Sequence, residues 1–147
     1  MCYLGVDIGG TAVKLGLVDN NGGIIATNSY SVSFDSYETP IFETVKKSMK
    51  EFLQENDVLN SSLKGIGVSA TGQVNSNTGV IVGVGGNIKN WCGTEIKKEL
   101  EEIYKVKISL LYENKNNYDL VYRDNTVMYM DNYKNKDGLI FKYYDVY

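Results

Sequence analysis

Histidine is absent from this chain of 147 residues, and cysteine occurs only as Cys2 and Cys92. Without histidine there is no imidazole ligand for a metal and no Ser-His or Cys-His couple for nucleophilic catalysis. Two distant cysteines cannot build a zinc cage alone, so no zinc site is expected. Their lack of pairing in any motif, with no charged-then-apolar leader, fits a reduced cytoplasmic compartment. No apolar run is long enough to span a bilayer, so no membrane partner is expected. A basic run is missing too: fifteen Lys and Arg stand against eighteen Asp and Glu, a formal charge of -3. The electrostatic footprint of a nucleic-acid binder is therefore absent. The single Asn-Xaa-Ser match, Asn60-Ser61-Ser62, has no secretory setting and reads as chance.

What remains is ordinary for a globular protein: 43% hydrophobic and 22% charged residues. The length suits one domain with a real core and is too short for two full lobes and a cleft. The run Cys2 to Asp7 reads as a buried strand, Ile8-Gly9-Gly10-Thr11 as a tight tip, and Val13 to Asp19 as the returning strand. After the turn signal Asn20-Asn21-Gly22-Gly23, Ile24 to Ser33 completes an antiparallel meander. A helix follows, with Thr39 as N-cap, Pro40 in the first position, and Ile41, Val45, Met49, Phe52 and Leu53 on one face. Gly65 to Ser69 reads as a strand buried on both faces, ending in the loop Ala70-Thr71-Gly72-Gln73. Gly79 to Val84 belongs to a second hairpin, and Gly85 to Trp91 is a loop. Thr94 is expected to cap a second helix, with Glu95 in its first turn and Ile96, Leu100, Ile103 and Tyr104 inward. Val106 to Tyr112 is a further strand. The composition then changes: the residues after Tyr112 hold seven Tyr, six Asn, one Gly and no Ala. Segments around 120–122, 126–130 and 139–144, with a turn at Asp137-Gly138, form a small antiparallel meander.

The chemistry is concentrated at Asp7-Ile8-Gly9-Gly10-Thr11. A carboxylate at the end of a buried strand, then two glycines and a hydroxyl, lets main-chain amides approach phosphate oxygens. Asp7 repels phosphate, so its role in such a device is to hold Mg2+, through water, against the nucleotide phosphates. Taken alone, the motif equally fits a plain glycine turn beside an exposed Asp. Neither a Walker loop nor a dinucleotide fingerprint matches, because both place the glycines before a helix.

The stretch Tyr3 to Thr11, with Lys14 and Gly16-Leu17-Val18-Asp19, resembles the first phosphate motif of the ROK family. That family contains bacterial glucokinases, other hexose and N-acetylhexosamine kinases, and sugar-responsive repressors. Gly65 to Val74, then Thr78-Gly79-Val80-Ile81, then Gly86-Asn87-Ile88 with Trp91 and Gly93-Thr94, are similar to the family's later landmarks in the family's order. The resemblance implies an α/β fold of the ribonuclease H-like, actin and hexokinase type, over a lobe of residues 1–112 with an atypical tail at 113–147. It implies ATP and Mg2+ as cofactors and a hexose or N-acetylhexosamine as substrate. Asp7, Gly9, Gly10, Thr11 and Lys14 would serve the phosphates, although Ala12 stands where many members carry lysine. Ser69, Ala70, Thr71, Gly72, Asn87, Glu113 and Asn114 would line the sugar pocket. Asn87 could instead cap its own loop, and a lone Trp91 is better read as packing than as a ligand stacker.

The pattern breaks after Asn114. The family's Glu-Asn-Asp-x-Asn reads Glu113-Asn114-Lys115-Asn116-Asn117 here, with Lys115 at the place of the general base. A protonated lysine cannot accept the proton of an attacking hydroxyl. Landmarks of the family's second lobe do not follow, so a truncated or frame-shifted product, inactive alone, is expected. The competing readings are a sugar kinase lobe, a non-catalytic sugar- or nucleotide-binding module or regulator remnant, and a structural remnant that dimerises. A lobe parted from its partner presents an apolar face, from which a homodimer is expected.

Overall fold

The computed structural model describes residues 1–75, 77–85, 88–111, 122–123, 126–135 and 138–145. The meander is present as β1 (Cys2–Ile8), β2 (Ala12–Asp19) and β3 (Ile24–Ser31). Asp19 makes the second turn: its Oδ1 accepts the amides of Asn21 and Gly23, each at 2.8 Å. Helix α1 (Ile41–Glu55) then leads to β4 (Leu63–Ala70), and β4 lies parallel to β1. A short hairpin, β5 (Gln73–Asn75) and β6 (Val80–Gly83), and helix α2 (Ile96–Tyr104) precede β7 (Lys107–Leu111). The main sheet has the order β3-β2-β1-β4-β7, antiparallel on the β3 side and parallel on the β7 side.

Strand alternation divides this sheet into two unlike faces. One carries Leu4, Val6 and Ile8 of β1, Val13, Leu15 and Leu17 of β2, and Ile66, Val68, Ile108 and Leu110 beyond. All of them share one buried cluster with Ile41, Val45, Met49 and Phe52 of α1 and Ile96 and Leu100 of α2. The two helices are joined at the surface by Lys46, whose Nζ lies 2.7 Å from Glu43 and 2.8 Å from Glu99. On the other face, Gly16, Gly5 and Gly67 stand side by side across β2, β1 and β4. That row is a strip of bare backbone, bounded at one end by the Tyr3 ring beside Gly65.

Both expected N-caps are corrected. Thr39 does not cap α1, because its amide and hydroxyl both donate to Asp35 Oδ2, at 2.9 and 2.6 Å. Pro40 occupies the cap position instead, in extended backbone with φ -55 and ψ 138, and its carbonyl accepts the amide of Glu43 at 3.0 Å. Thr94 does not cap α2, since its hydroxyl donates to the Trp91 carbonyl at 2.6 Å. Glu95 is the cap residue there, its backbone bridged to Val80. At the far end of α1 the Asn56 side chain donates to the Phe52 carbonyl at 2.8 Å, ending the helix.

The tail contains a separate antiparallel sheet, β8 (Tyr122–Arg123), β9 (Thr126–Asn135) and β10 (Gly138–Asp145), ordered β10-β9-β8. A meander was expected there; β9 and β10 run longer than the expected 126–130 and 139–144. Leu120, Val121 and Asp137, named with those segments, lie outside the described residues.

Gly79, in the turn between β5 and β6, is buried with φ +69, and a Cβ there would overlap the Lys97 side chain and lie 2.7 Å from Leu110 Cδ1. Gly22 has φ +82 with nothing within 4 Å. Gly79→Ala is therefore expected to lower stability in urea unfolding by about 2–4 kcal/mol, combining backbone strain with overpacking. Gly22→Ala carries the strain alone and is expected to cost about 1 kcal/mol.

Candidate functional site

The candidate site forms at the carboxyl ends of β1 and β4. Asp7 is registered against Lys14 of β2 on one side and Ser69 of β4 on the other. Residues paired this way project to the same face, so a carboxylate, an ammonium and a hydroxyl form one polar row just beyond the glycine row. All three are half-buried or exposed, at the rim of the sheet. Open α/β sheets bind ligands at this end of their parallel strands.

The β1–β2 tip is a tight turn. Gly9 donates its amide to the Ala12 carbonyl at 2.9 Å, and a Cβ at Gly9 would sit only 3.0 Å from that same oxygen. The Gly9 amide thus closes the hairpin, which leaves Gly10 and Thr11 to supply any main-chain donor to an anion. Gly10 lies against the loop after β6, where a Cβ would come within 3.3 Å of Ile88 Cδ1. The Tyr37 hydroxyl also reaches this turn, donating to the Gly10 carbonyl at 2.6 Å.

The 69–72 bend is tied to the hairpin through backbone. The Thr71 amide donates to the Ile8 carbonyl at 2.8 Å, extending the β1–β4 ladder by one residue. The Thr71 carbonyl accepts the indole N–H of Trp91 at 2.9 Å. Trp91 is 1% exposed, so the expected packing role holds, and its ring also carries a hydrogen bond that composition gave no means of foreseeing. Gly72 has φ +97, and a Cβ there would lie 2.5 Å from the Gly83 carbonyl oxygen. Only glycine allows the bend to pass so close to β6.

Asp7, Gly9, Gly10, Thr11, Lys14, Ser69, Ala70, Thr71 and Gly72 thus fall at one end of the sheet. Ala70 is buried beside Ile8 on the helix face, so its contribution there is backbone rather than side chain. Asn87, Glu113, Asn114 and Lys115 lie outside the described residues. Among the described residues no group of three or more His, Cys, Asp or Glu could hold a metal ion as a closed cage. Tyr37 was not legible as a site residue, because nothing in a Ser/Asp/Tyr-rich turn marks which ring will fold back onto a distant glycine.

A family model described as the ROK family matches residues 3–117. A beta-glucoside kinase of Listeria monocytogenes is 41% identical over 95 residues, covering 65% of this chain and 29% of that protein. The chain spans about a third of the length of the curated relatives it matches. Among solved structures, a candidate N-acetylmannosamine kinase of Listeria monocytogenes superposes with a TM-score of 0.58 at 35% identity, over 76% of this chain and 35% of that one. A ROK glucokinase of Streptomyces griseus, solved with glucose and AMPPNP, has a TM-score of 0.58 at 22% identity over 76% of this chain and 33% of that one, and shares the fold.

Two measurements probe these supports. Trp91→Phe removes the donor to Thr71 and leaves part of the buried indole's volume unfilled, and is expected to cost about 2–3 kcal/mol in chemical unfolding. For Asp35, the Thr39 hydroxyl and amide that bond its carboxylate hold its pKa below the ordinary range, against a smaller opposing effect of burial. A lowered folded-state pKa gives stability that is present above the ordinary carboxylate range and lost as pH falls through the lowered value. The stability difference between the wild-type chain and Asp35→Asn is therefore expected to shrink as unfolding is measured at progressively more acidic pH.

Proposed function

The chain belongs to the ROK family, and on that footing we propose that it is a nucleotide- and sugar-binding lobe of a carbohydrate kinase, without turnover of its own. The observation that carries this reading is the row Lys14, Asp7, Ser69, set at the strand ends and bound to the 69–72 bend by the Thr71–Ile8 hydrogen bond. It puts a phosphate-type turn and a hydroxyl-lined bend side by side, the arrangement needed to bring a phosphoryl donor and a sugar acceptor together.

In this reading the amides of Gly10 and Thr11 and the ammonium of Lys14 face phosphate oxygens, with Gly9 shaping the turn. Asp7, a single half-buried carboxylate, fits Mg2+, which is held by one or two carboxylates plus water and substrate phosphates rather than by an all-protein cage. The bound ion would neutralise charge on the phosphates of ATP. Ser69 and Thr71, with the backbone of Ala70 and Gly72, would bind the hydroxyls of a hexose or N-acetylhexosamine, joined by Asn87, Glu113 and Asn114. The names of its relatives support a sugar acceptor: one is a beta-glucoside kinase, another a candidate N-acetylmannosamine kinase. At the position where the family carries its general base this chain has Lys115, and a protonated lysine cannot take the proton of a sugar hydroxyl, so that position would not perform the base step.

Calorimetric titration of the chain with Mg-ATP tests the phosphate half of this reading. Binding is expected with Mg2+ present, weakened about tenfold or more by Asp7→Asn, with the two proteins converging once EDTA removes the metal. Equal affinity of both proteins in Mg2+ would remove Asp7 from the site.

A further inference from the structure

The segment 33–39, between β3 and α1, is held in an unusual shape. Ser36 and Tyr37 are consecutive non-glycine residues in the left-handed region, with φ 57 and 65. Such residues persist where surrounding structure holds them. Here the Asp35 carboxylate clamps the Thr39 amide and hydroxyl, and the Ser36 amide donates to the Ser33 carbonyl at 3.1 Å. The half-buried Tyr37 ring packs against the main core cluster and brings its hydroxyl 2.6 Å from the Gly10 carbonyl. The next carbonyl, that of Thr11, is also held from this side: it accepts the Val32 amide at 2.9 Å and the Ser33 hydroxyl at 3.5 Å. On its outer edge Glu38 pairs with Lys89 of the loop after β6 at 3.2 Å.

Resting on the phosphate reading of the hairpin, we infer that Tyr37 is a positioning residue for anion binding at Gly10-Thr11. A trans peptide is planar, so the carbonyl of Gly10 and the amide of Thr11 point in opposite directions. By holding that carbonyl, the Tyr37 hydroxyl fixes the peptide with the Thr11 N–H turned away from the 33–39 segment, available to a phosphate oxygen. A glycine at position 10 leaves this peptide otherwise free to rotate, which is why an external hold is needed. The left-handed pair at 36–37 gives the tyrosine its reach, so strain in one loop sets the orientation of a donor in another.

The test uses the full chain and Tyr37→Phe, which keeps the ring and deletes only the hydroxyl. In the NMR spectrum without ligand, the Thr11 amide resonance is expected to shift and broaden in the variant as the Gly10–Thr11 peptide loses its fixed orientation, while the Val6 and Val68 resonances in the sheet keep their wild-type positions. Calorimetry with inorganic tripolyphosphate is expected to show affinity lowered about five- to tenfold, with glucose binding unchanged. An unaltered Thr11 resonance, unaltered tripolyphosphate affinity in a chain that binds it, or parallel losses for tripolyphosphate and glucose would each overturn the inference. A wild-type chain that binds no tripolyphosphate would sink the phosphate reading itself, and the Thr11 resonance would then judge the Tyr37 contact separately.

Discussion

The parallel pairing of β1 with β4 is the constraint on which everything else rests. It joins two segments separated by the whole of the meander and α1, and it fixes Asp7 beside Ser69 rather than one residue away. Because side chains alternate along a strand, a slip of one residue would turn Asp7 into the helix-packed core and Ile8 out to the rim. The apolar positions of β1 prevent that slip: Leu4, Val6 and Ile8 are almost wholly inaccessible, and none tolerates the other face. The position of the polar row is thus decided by residues that never touch a ligand.

The two faces of the sheet divide the labour. The helix face supplies stability through closely packed aliphatic and aromatic side chains, and the opposite face is kept bare by Gly5, Gly16 and Gly67. Interior glycines weaken a strand by removing cross-strand side-chain contacts. That weakness is offset where the neighbouring face is densely packed, and the glycine strip, itself buried, lets other chain segments come close to backbone next to Asp7. Around the rim, three backbone-directed hydrogen bonds hold the loops: Thr71 to Ile8, Trp91 to Thr71, and Tyr37 to Gly10. Each joins a different loop to the same end of the sheet.

Much of this was readable from the chain of letters. Period-two and period-3.6 patterns located the meander, both helices and the buried strand, although Ile103 of α2, expected inward, is 45% exposed, and the strand-end Asp with its glycines located the rim. The cap residues were misread because Thr39 and Thr94 have two possible uses, and local turns took their hydroxyls before the helices could. Tertiary hydrogen bonds were invisible for a related reason: the spacing from Tyr37 to Gly10 or from Trp91 to Thr71 follows no local period. The Gly5-Gly16-Gly67 row also needs the register before it can be seen, since no two of these glycines are sequence neighbours.

The order of the strands has a consequence for how the chain is made. The meander β1–β2–β3 consists of contacts between residues close in sequence, and it can assemble once residue 31 has left the ribosome. Its β1 edge must then wait, with its hydrogen-bonding groups open, until α1 and β4 have been synthesised. During that interval the strand that carries Asp7 is an unprotected edge, so the speed with which α1 collapses onto the meander governs how long the nascent protein is open to pairing with the wrong neighbour.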